Sequence, residues 1–121
     1  MRLGHKGSKV IVQEIVAALG VEVAAGVGGL THEITGGYAS DLLSCAMAGA
    51  QPGNVWVTLQ AHSNVIAVAD LRELACVVIA EGGRPDAKTL ARADEKQVPV
   101  LLAAAGTFSI VAQLVEAGVA A

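Results

Sequence analysis

The sequence has few aromatic residues: it contains one tyrosine, one tryptophan and one phenylalanine, at Tyr38, Trp56 and Phe108. Because 54% of its residues are hydrophobic, the core must be built mainly from Ala, Val, Ile and Leu. Such a core packs through β-branched strands and close backbone approach instead of aromatic anchors. A chain of 121 residues suits one domain that buries roughly two-thirds of its unfolded surface. We therefore predict a single domain over residues 8–121, preceded by a loose tail at residues 1–7.

Positive charge is also scarce, with 8 Lys and Arg against 11 Asp and Glu and a net charge of -3. Proteins that bind nucleic acid neutralise phosphates with clustered Lys and Arg, so this composition argues against a nucleic-acid partner. Residues 42–69 and 97–115 carry no charge, but prolines, glycines and polar residues divide both segments into pieces too short to span a membrane. The amino terminus lacks the apolar run and cleavage site of a signal peptide. We predict a soluble, cytoplasmic protein that binds neither nucleic acid nor a membrane.

The residue groupings of metal and kinase sites are missing as well. Cys45 and Cys76 have no CxxC spacing and are predicted to be small buried residues. The three histidines are far apart in sequence and form no i, i+4 pair, so a zinc site has no support. Residues 4–9 lack the GxxxxGK[ST] spacing and follow no strand, so they are not the phosphate loop of a kinase. The sequence therefore indicates no metal, and it leaves the cofactor unknown.

What is present is an alternation of short apolar runs with helical patterns. This alternation is typical of βα units around a mostly parallel sheet. The predicted strands are residues 21–24, 34–40, 55–60, 76–80 and 98–102. The predicted helices are residues 8–19, 41–48, 62–74, 86–96 and 107–117. We therefore predict an α/β fold with three α/β/α layers, in which helices cover both faces of a sheet of four to five strands.

Local signals mark the ends of these helices and one core position. The predicted N-caps are Ser8, Asp86 and Thr107. The glycines that follow predicted helices are Gly20 and Gly118. Trp56 lies in a strand that alternates apolar and other residues, and this position predicts a buried side chain.

Two stretches of the sequence are the most distinctive. Residues 33–43 read Glu-Ile-Thr-Gly-Gly-Tyr-Ala-Ser-Asp-Leu-Leu, and residues 55–64 end in Gln-Ala-His-Ser-Asn. Together they resemble the DRTGG-domain family, a set of small bacterial α/β modules similar to the non-catalytic amino-terminal domain of HPr kinase/phosphorylase. The resemblance covers about residues 9–118. Glu33 and Ile34 stand where the namesake motif has Asp and Arg, so a role that needs that arginine does not carry over.

The resemblance implies a regulatory context. The sequence is most similar to short members, which look like stand-alone versions of a module fused elsewhere to CBS domains or phosphotransacetylases. Such members are similar to proteins encoded near histidine-kinase-like ATPases and iron-sulfur hydrogenase subunits. We predict a homodimer or higher homo-oligomer, and the resemblance adds a histidine-kinase-like ATPase or a hydrogenase-related protein as a candidate partner.

A ligand site is predicted at one end of the sheet. Ligands of open parallel sheets bind beyond the carboxyl ends of the strands, where loops and helix amino termini converge. This sequence places polar residues after four of the predicted strands. Together with the Gly-Gly-Tyr segment, they form the predicted ligand site: Gly36, Gly37, Tyr38, Ser40, Asp41, Gln60, His62, Ser63, Asn64, Glu81, Arg84 and Thr107. No catalytic residue is predicted.

The residues at helix starts also have a structural interpretation. The positive end of a helix dipole favours the neutral form of His62, which suits hydrogen bonding to a ligand. The other interpretation of His62 is a helix cap or a bridge between loops. Asp41 likewise suits an N-cap, because carboxylates satisfy free N–H groups there. Of Ser63 and Asn64, one is expected to cap the helix and the other to be available.

The remaining candidates have alternatives of the same kind. Gly36 and Gly37 indicate either close approach of a ligand to the backbone or a conformation forbidden to larger residues. Tyr38 could stack on a ring, or it could pack in the core or an oligomer contact. Arg84 could pair with an anionic ligand or with Glu81, or it could be solvated.

These observations support three functional hypotheses. The first is a non-catalytic regulatory module that binds a small anionic ligand, a nucleotide or phosphorylated metabolite, and signals through oligomer or partner contacts. The second is an interaction module that dimerises and recruits a partner without a ligand. The third is an enzyme that uses His62 with Asp41 or Cys45, but no spacing brings these residues together, and the absent nucleotide loop contradicts HPr kinase activity. We favour the first hypothesis.

Overall fold

The computed structural model describes residues 10–120, which form a five-stranded sheet, a two-stranded sheet and the helices around them. The strands are β1 (Val10–Ile11), β2 (Glu22–Ala25), β3 (Glu33–Ile34), β4 (Gly36–Ala39), β5 (Asn54–Thr58), β6 (Cys76–Ile79) and β7 (Val100–Leu102). The α-helices are α1 (Val12–Leu19), α2 (Leu43–Gly49), α3 (Ser63–Leu71), α4 (Ala87–Lys96) and α5 (Thr107–Glu116). A 3-10 turn spans Val27–Gly29. The predicted tail at residues 1–7 and the predicted cap Ser8 lie outside the described residues.

The five-stranded sheet has the strand order β2-β7-β6-β5-β4. Strands β4 to β7 run parallel, whereas β2 pairs antiparallel with β7 at one edge. The prediction of a mostly parallel α/β sheet is therefore confirmed. Because β4, β5, β6 and β7 point the same way, the loops that follow them meet at one end, which we call the carboxyl end of the sheet.

Helices cover both faces of this sheet. Trp56 and Val77 belong to a core that also contains buried residues of α2, α3 and α4. Val57 and Val78, the next residues along the same strands, belong to a second core that contains residues of α1 and α5. This alternation follows from the two-residue period of a strand. None of the helices in the described part of the chain has the length and apolar character needed to cross a bilayer.

The predicted strand 34–40 is two strands, separated at Thr35. Strand β3 pairs antiparallel with β1, whereas β4 pairs parallel with β5. The Thr35 N–H donates to the carbonyl of Gly53 over 2.9 Å, and its hydroxyl donates to the carbonyl of Pro52 over 2.8 Å. The Gly-Gly pair predicted a bent strand or a strand end in this segment, and the structure places the interruption at Thr35, which divides the segment into strands of two different sheets.

The helix ends follow the sequence signals in most places. The predicted cap Asp86 accepts a hydrogen bond from the N–H of Thr89 over 2.8 Å. Gly20 follows α1 with a φ of 67°, and Gly118 follows α5 with a φ of 102°. Both angles lie in the region that favours glycine. Thr107 was wrongly predicted as a cap, because the extended N-cap residue of α5 is Gly106 and Thr107 already has helical geometry.

The two cysteines differ in their surroundings. Cys76 is fully buried in β6, and this burial raises the pKa of its thiol. Cys45 is exposed on α2, whose buried residue is the neighbouring Ala46. The prediction of a buried thiol is therefore confirmed for Cys76 and wrong for Cys45.

The Asp86 cap gives a pH-dependent prediction. Hydrogen bonds from the side chain and the N–H of Thr89 lower the pKa of Asp86 from its ordinary 3.8, so the ionised form stabilises the folded state. A lowered pKa stabilises the fold above the unfolded-state value, and this stabilisation is lost as the pH falls through the folded-state value. We expect Asp86→Ala to melt at a lower temperature than the wild type at pH 7, and this gap to narrow below about pH 4. Thermal melts across this range check the result, and a constant gap would contradict it.

Candidate functional site

The loops at the carboxyl end of the sheet are joined to one another by hydrogen bonds. The Ala80 N–H donates to the carbonyl of Thr58 over 2.9 Å, which links the ends of β6 and β5. The Glu81 N–H donates to the carbonyl of Ala105 over 2.9 Å, which links the loops after β6 and β7. The side chain of Asp41 joins the loops after β4 and β5. The four strand ends therefore form one continuous surface.

Asp41 links these two loops through its carboxylate. Its Oδ1 accepts hydrogen bonds from the N–H of Leu59 over 2.7 Å and from the hydroxyl of Thr58 over 3.2 Å. The side-chain amide nitrogen Nε2 of Gln60 donates to the backbone carbonyl of Asp41 over 3.1 Å. The predicted N-cap role is wrong, because the chain is still extended at Leu42, the N-cap residue of α2. Within residues 10–120, Oδ2 of this exposed carboxylate makes no hydrogen bond, so it can accept one from a ligand.

Ser40 supports the same loop from within the protein. Its hydroxyl oxygen accepts a hydrogen bond from the N–H of Leu42 over 3.2 Å. Its carbonyl accepts one from Nε1 of the buried Trp56 over 2.9 Å. Ser40 therefore positions Asp41 through its hydrogen bonds.

His62 is the N-cap residue of α3. Its Nδ1 accepts a hydrogen bond from the N–H of Asn64 over 3.1 Å, which places the proton of the neutral ring on Nε2. The structural interpretation of His62 is thus the one observed, and the expectation that Ser63 or Asn64 would cap the helix is wrong. Ser63 is the half-buried first residue of α3, whereas the side chains of His62 and Asn64 are exposed.

The loop after β6 has an unusual backbone. Glu81 has a φ of 58° and is followed by Gly82 with a φ of 75°. A non-glycine residue in this region costs on the order of 1–3 kcal/mol, and such residues cluster at functional sites. The carboxylate oxygen Oε2 of Glu81 lies 3.8 Å from the position that a Cβ would take on Gly106. Glu81 therefore lies beside the amino terminus of α5, where the helix dipole favours negative charge.

Helix α5 begins without a capping side chain. Gly106 occupies the N-cap position, and the N–H of Ile110 donates to its carbonyl over 3.0 Å. The N–H groups of Thr107 and Phe108 precede this first helical bond and have no partner within the helix. Thr107 is half-buried, and its backbone, more than its hydroxyl, suits contact with an anion.

Arg84 pairs with a residue that the sequence did not suggest. Its guanidinium donates to the carboxylate of Glu22 over 3.2 Å, so the alternative in which it pairs with Glu81 is not the one observed. Because β2 runs antiparallel to β7, its first residue lies at the carboxyl end of the sheet. The two side chains are 66% and 54% exposed, and an ion pair this exposed contributes little to stability. Arg84 can therefore exchange Glu22 for an anionic ligand at small cost.

The Gly-Gly-Tyr segment lies elsewhere. Gly36 and Gly37 begin β4 and pair with Asn54 and Val55, at the opposite end from the loops described above. The hydroxyl of Tyr38 donates to a carbonyl of α2 over 3.0 Å, so its ring packs against that helix. The prediction that these three residues belong to the carboxyl-end site is therefore wrong. The motif suggested a strand end, but β4 begins where that end was expected.

The carboxyl end is an open surface with a modest cavity. A cavity of about 250 Å³ is lined by residues 102–105 after β7, together with residues of α1 and α5. A larger cavity of about 380 Å³ lies away from these loops and is lined by His32, Asp70 and Lys96, among others. Within the described chain, no group of three His, Cys, Asp or Glu side chains is placed to hold a metal. The carboxyl end suits a ligand that lies along the surface better than one enclosed in a pocket.

Two residues of this site were missed from the sequence. The fully buried Thr58 donates its hydroxyl to Asp41 and accepts from the N–H of Gln60 over 3.1 Å. A polar residue at the end of an apolar strand was the available signal. Glu22 had no comparable signal, because its contact with Arg84 depends on the direction of β2.

Comparisons with known proteins agree with this architecture. Residues 14–117 match the model of the DRTGG domain. A solved structure with the same fold is that of the CBS and DRTGG domains of the regulatory region of Clostridium perfringens pyrophosphatase, complexed with its activator diadenosine tetraphosphate. The TM-score is 0.71 at 10% sequence identity, and the match covers 88% of this chain and 46% of that chain. No curated protein sequence matches this chain. Since the family model matches most of its length, this chain belongs to the DRTGG-domain family.

Proposed function

We propose that this domain is a non-catalytic regulatory module that binds a small anionic ligand, a nucleotide or phosphorylated metabolite, at the carboxyl end of its sheet. The observation that carries the proposal is the continuous row of strand-end loops between Asp41 and the start of α5. A ligand lying across this row would contact several loops at once. Its binding would therefore change the positions of these loops, and with them the surface that a second copy or a partner protein contacts.

The chemistry of the row suits a nucleotide. The free Oδ2 of Asp41 can accept a hydrogen bond from a ribose hydroxyl, a role that acidic residues near strand ends play in dinucleotide-binding folds. The uncapped first turn of α5 offers N–H groups to a phosphate. Arg84 adds a guanidinium suited to bidentate contact with phosphate oxygens. The Clostridium perfringens regulatory region was solved with a dinucleotide activator, which supports this choice of ligand class.

The same hydrogen bonds support a non-catalytic role. The candidate base His62 uses Nδ1 to cap its own helix, and the candidate acid Asp41 uses Oδ1 to hold Leu59 and Thr58. A catalytic acid–base or nucleophile–base pair must lie within hydrogen-bond reach, and within residues 10–120 no hydrogen bond joins His62 to Asp41 or to Cys45. We also propose that this domain is similar to the amino-terminal domain of HPr kinase/phosphorylase, which is a non-catalytic module too.

A thermal-shift titration tests the proposal. Diadenosine tetraphosphate, ATP and AMP are titrated against the full chain, and a ligand specific for the folded state raises its melting temperature by mass action. We expect at least one of them to give a saturable rise. For Asp41→Asn we expect a smaller rise in melting temperature than for the wild type at the same ligand concentration. Each rise is measured from the melting temperature of the same variant without ligand.

Asp70→Asn is the matched control. It makes the same chemical change in an exposed carboxylate of α3 that pairs with Lys96 over 3.9 Å, away from the strand-end loops. This variant should keep the wild-type shift. An equal loss in both variants would contradict the site, and no shift with any of the three nucleotides would contradict the nucleotide assignment.

One observation favours a second candidate function, an interaction module without a ligand. Leu42, Leu59 and Phe108 are exposed at the carboxyl end, with 63%, 42% and 90% of their surface accessible. Exposed apolar side chains that cluster on one surface are typical of protein interaction sites. A protein partner, such as a histidine-kinase-like ATPase or a hydrogenase-related protein, would cover these side chains. Phe108→Ala, which removes the apolar ring and keeps the backbone N–H groups of α5, would then weaken capture of that partner.

A further inference from the structure

Strand β4 ends the five-stranded sheet with an unpaired side. Within residues 10–120 it pairs only with β5. The Ser40 N–H donates inward to the carbonyl of Val57 over 3.2 Å. Because backbone groups alternate along a strand, the N–H and C=O groups of Gly37 and Ala39 point outward. Both residues are exposed, although Val119 packs against one face of Gly37, 3.6 Å from the position that a Cβ would take there.

Grooves flank this strand on both faces. An apolar groove of about 190 Å³ lies on the α5 side and is lined by Gly37, Ala39, Val111 and Val115, among others. An open groove of about 550 Å³ lies on the α2 side and is lined by residues 35–38 and the turn that precedes β5. No charged side chain among residues 10–120 lines either groove. Natural proteins protect free strand edges with charges or prolines, and neither lies within β4.

The charge distribution indicates what covers this edge. The elements beside β4 come mainly from residues 42–69 and 97–115, the two segments without a charged side chain. The chain as a whole carries a net charge of -3, so two copies repel unless they meet where charge is absent. Both faces of this edge are neutral along the described residues, so a second copy can meet it about a two-fold axis without bringing like charges together.

We propose that β4 pairs antiparallel with β4 of a second copy, about a two-fold axis that passes beside Tyr38. In this register Gly37 of one copy faces Ala39 of the other, and each such pair exchanges two backbone hydrogen bonds. The interface would therefore contain about four new ladder bonds and join the two sheets into one. The Tyr38 side chain stays bonded to the carbonyl of Cys45 on its own α2.

The apolar groove adds to this pairing. Val115 is 56% exposed and lines the groove beside β4. In the paired sheet, the α5 helices of the two copies approach over the small side chains at positions 37 and 39, which covers Val111 and Val115. This interface lies along the side of the sheet and not at its carboxyl end, so it does not depend on the proposed ligand.

Sedimentation equilibrium of the full chain tests the interface. Ala39→Lys places a charge in the apolar groove, and Ala39→Pro removes an outward N–H without breaking the bonds to β5. We expect a wild-type dimer at tens of micromolar, and we expect either substitution to weaken it on the order of 100-fold or more. Ala91→Lys is the matched control, because Ala91 is exposed on α4, which packs near β2 at the other edge of the sheet. This control should remain a dimer.

Circular dichroism verifies that each variant is folded. If the Ala39→Pro variant is unfolded, the interface is tested with the Ala39→Lys variant alone, once circular dichroism shows that this variant is folded. A monomeric wild type at these concentrations would overturn the proposal and leave the edge to a different protein. A dimer that survives Ala39→Lys, or one that Ala91→Lys also disrupts, would overturn it by placing the interface elsewhere.

Discussion

Replacing Trp56 with alanine should lower the free energy of unfolding by about 3–5 kcal/mol. Trp56 is the largest fully buried side chain, and its neighbours in the core are mostly Val, Ile and Ala. The short aliphatic side chains around Trp56 cannot move far enough to fill the volume that the indole ring leaves. The cavity that remains therefore adds its cost to the lost apolar burial.

Trp56→Phe separates the two contributions of this side chain. Phenylalanine keeps most of the apolar volume but loses the Nε1–H bond to the carbonyl of Ser40. The expected cost is about 1–3 kcal/mol, because that partly buried carbonyl loses its partner. Urea unfolding followed by circular dichroism measures both variants without relying on tryptophan fluorescence. A cost below about 1 kcal/mol for Trp56→Ala would show that the indole ring does not organise this core.

Gly26→Ala should be the most damaging glycine substitution, with an expected cost of about 2–5 kcal/mol. Gly26 has a φ of 76°, and a Cβ at this position would collide with the backbone of Val98 and Pro99. Its N–H donates to the carboxylate of Asp94 over 2.7 Å, which ties the loop after β2 to α4. The backbone of Val98 and Pro99 cannot move aside as the end of a flexible side chain can. The energetic cost of the collision therefore adds to the cost of placing alanine in the left-handed conformation.

Gly20→Ala is the matched control for this prediction. Gly20 has a similar φ of 67°, but nothing lies within 4 Å of a Cβ built there. Only the conformational cost of about 1–2 kcal/mol is expected. Chemical unfolding of both variants gives the difference. Equal losses in the two would mean that the contact with Val98 and Pro99 is not tight in solution.

The fold could be predicted from the sequence wherever local chemistry decides the structure. Gly20 ends α1 as predicted, because its left-handed conformation depends on the residue type alone. Asp86 begins α4 as predicted, because its capping bond reaches a residue only three positions away. The helix after β5 begins at Ser63 as expected but ends at Leu71, before the predicted end. Glu73 adopts a φ of 55° there, a conformation that no local signal indicated.

The site was predicted less well, because side-chain partners depend on contacts between distant strands. Asp41 was predicted to cap α2, but in the fold its carboxylate bonds to the N–H of Leu59. Arg84 meets Glu22 only because β2 runs antiparallel. Gly36 and Gly37 were expected at a strand end, but the turn at Thr35 places them at a strand start. The sequence could thus predict which strand ends meet, whereas the hydrogen bonds between their loops could not be predicted.

The central claim is that an anionic ligand binds across the strand-end loops, and an amide chemical-shift titration tests it most directly. The full chain labelled with nitrogen-15 is titrated with diadenosine tetraphosphate. The account predicts saturable shifts at residues 41–42, 59–63, 81–84 and 104–109. The amides of Gly36 and Gly53, at the other end of the sheet, should stay unchanged. Shifts confined to the cavity around His32 and Asp70, or none at all at saturating concentration, would contradict the claim.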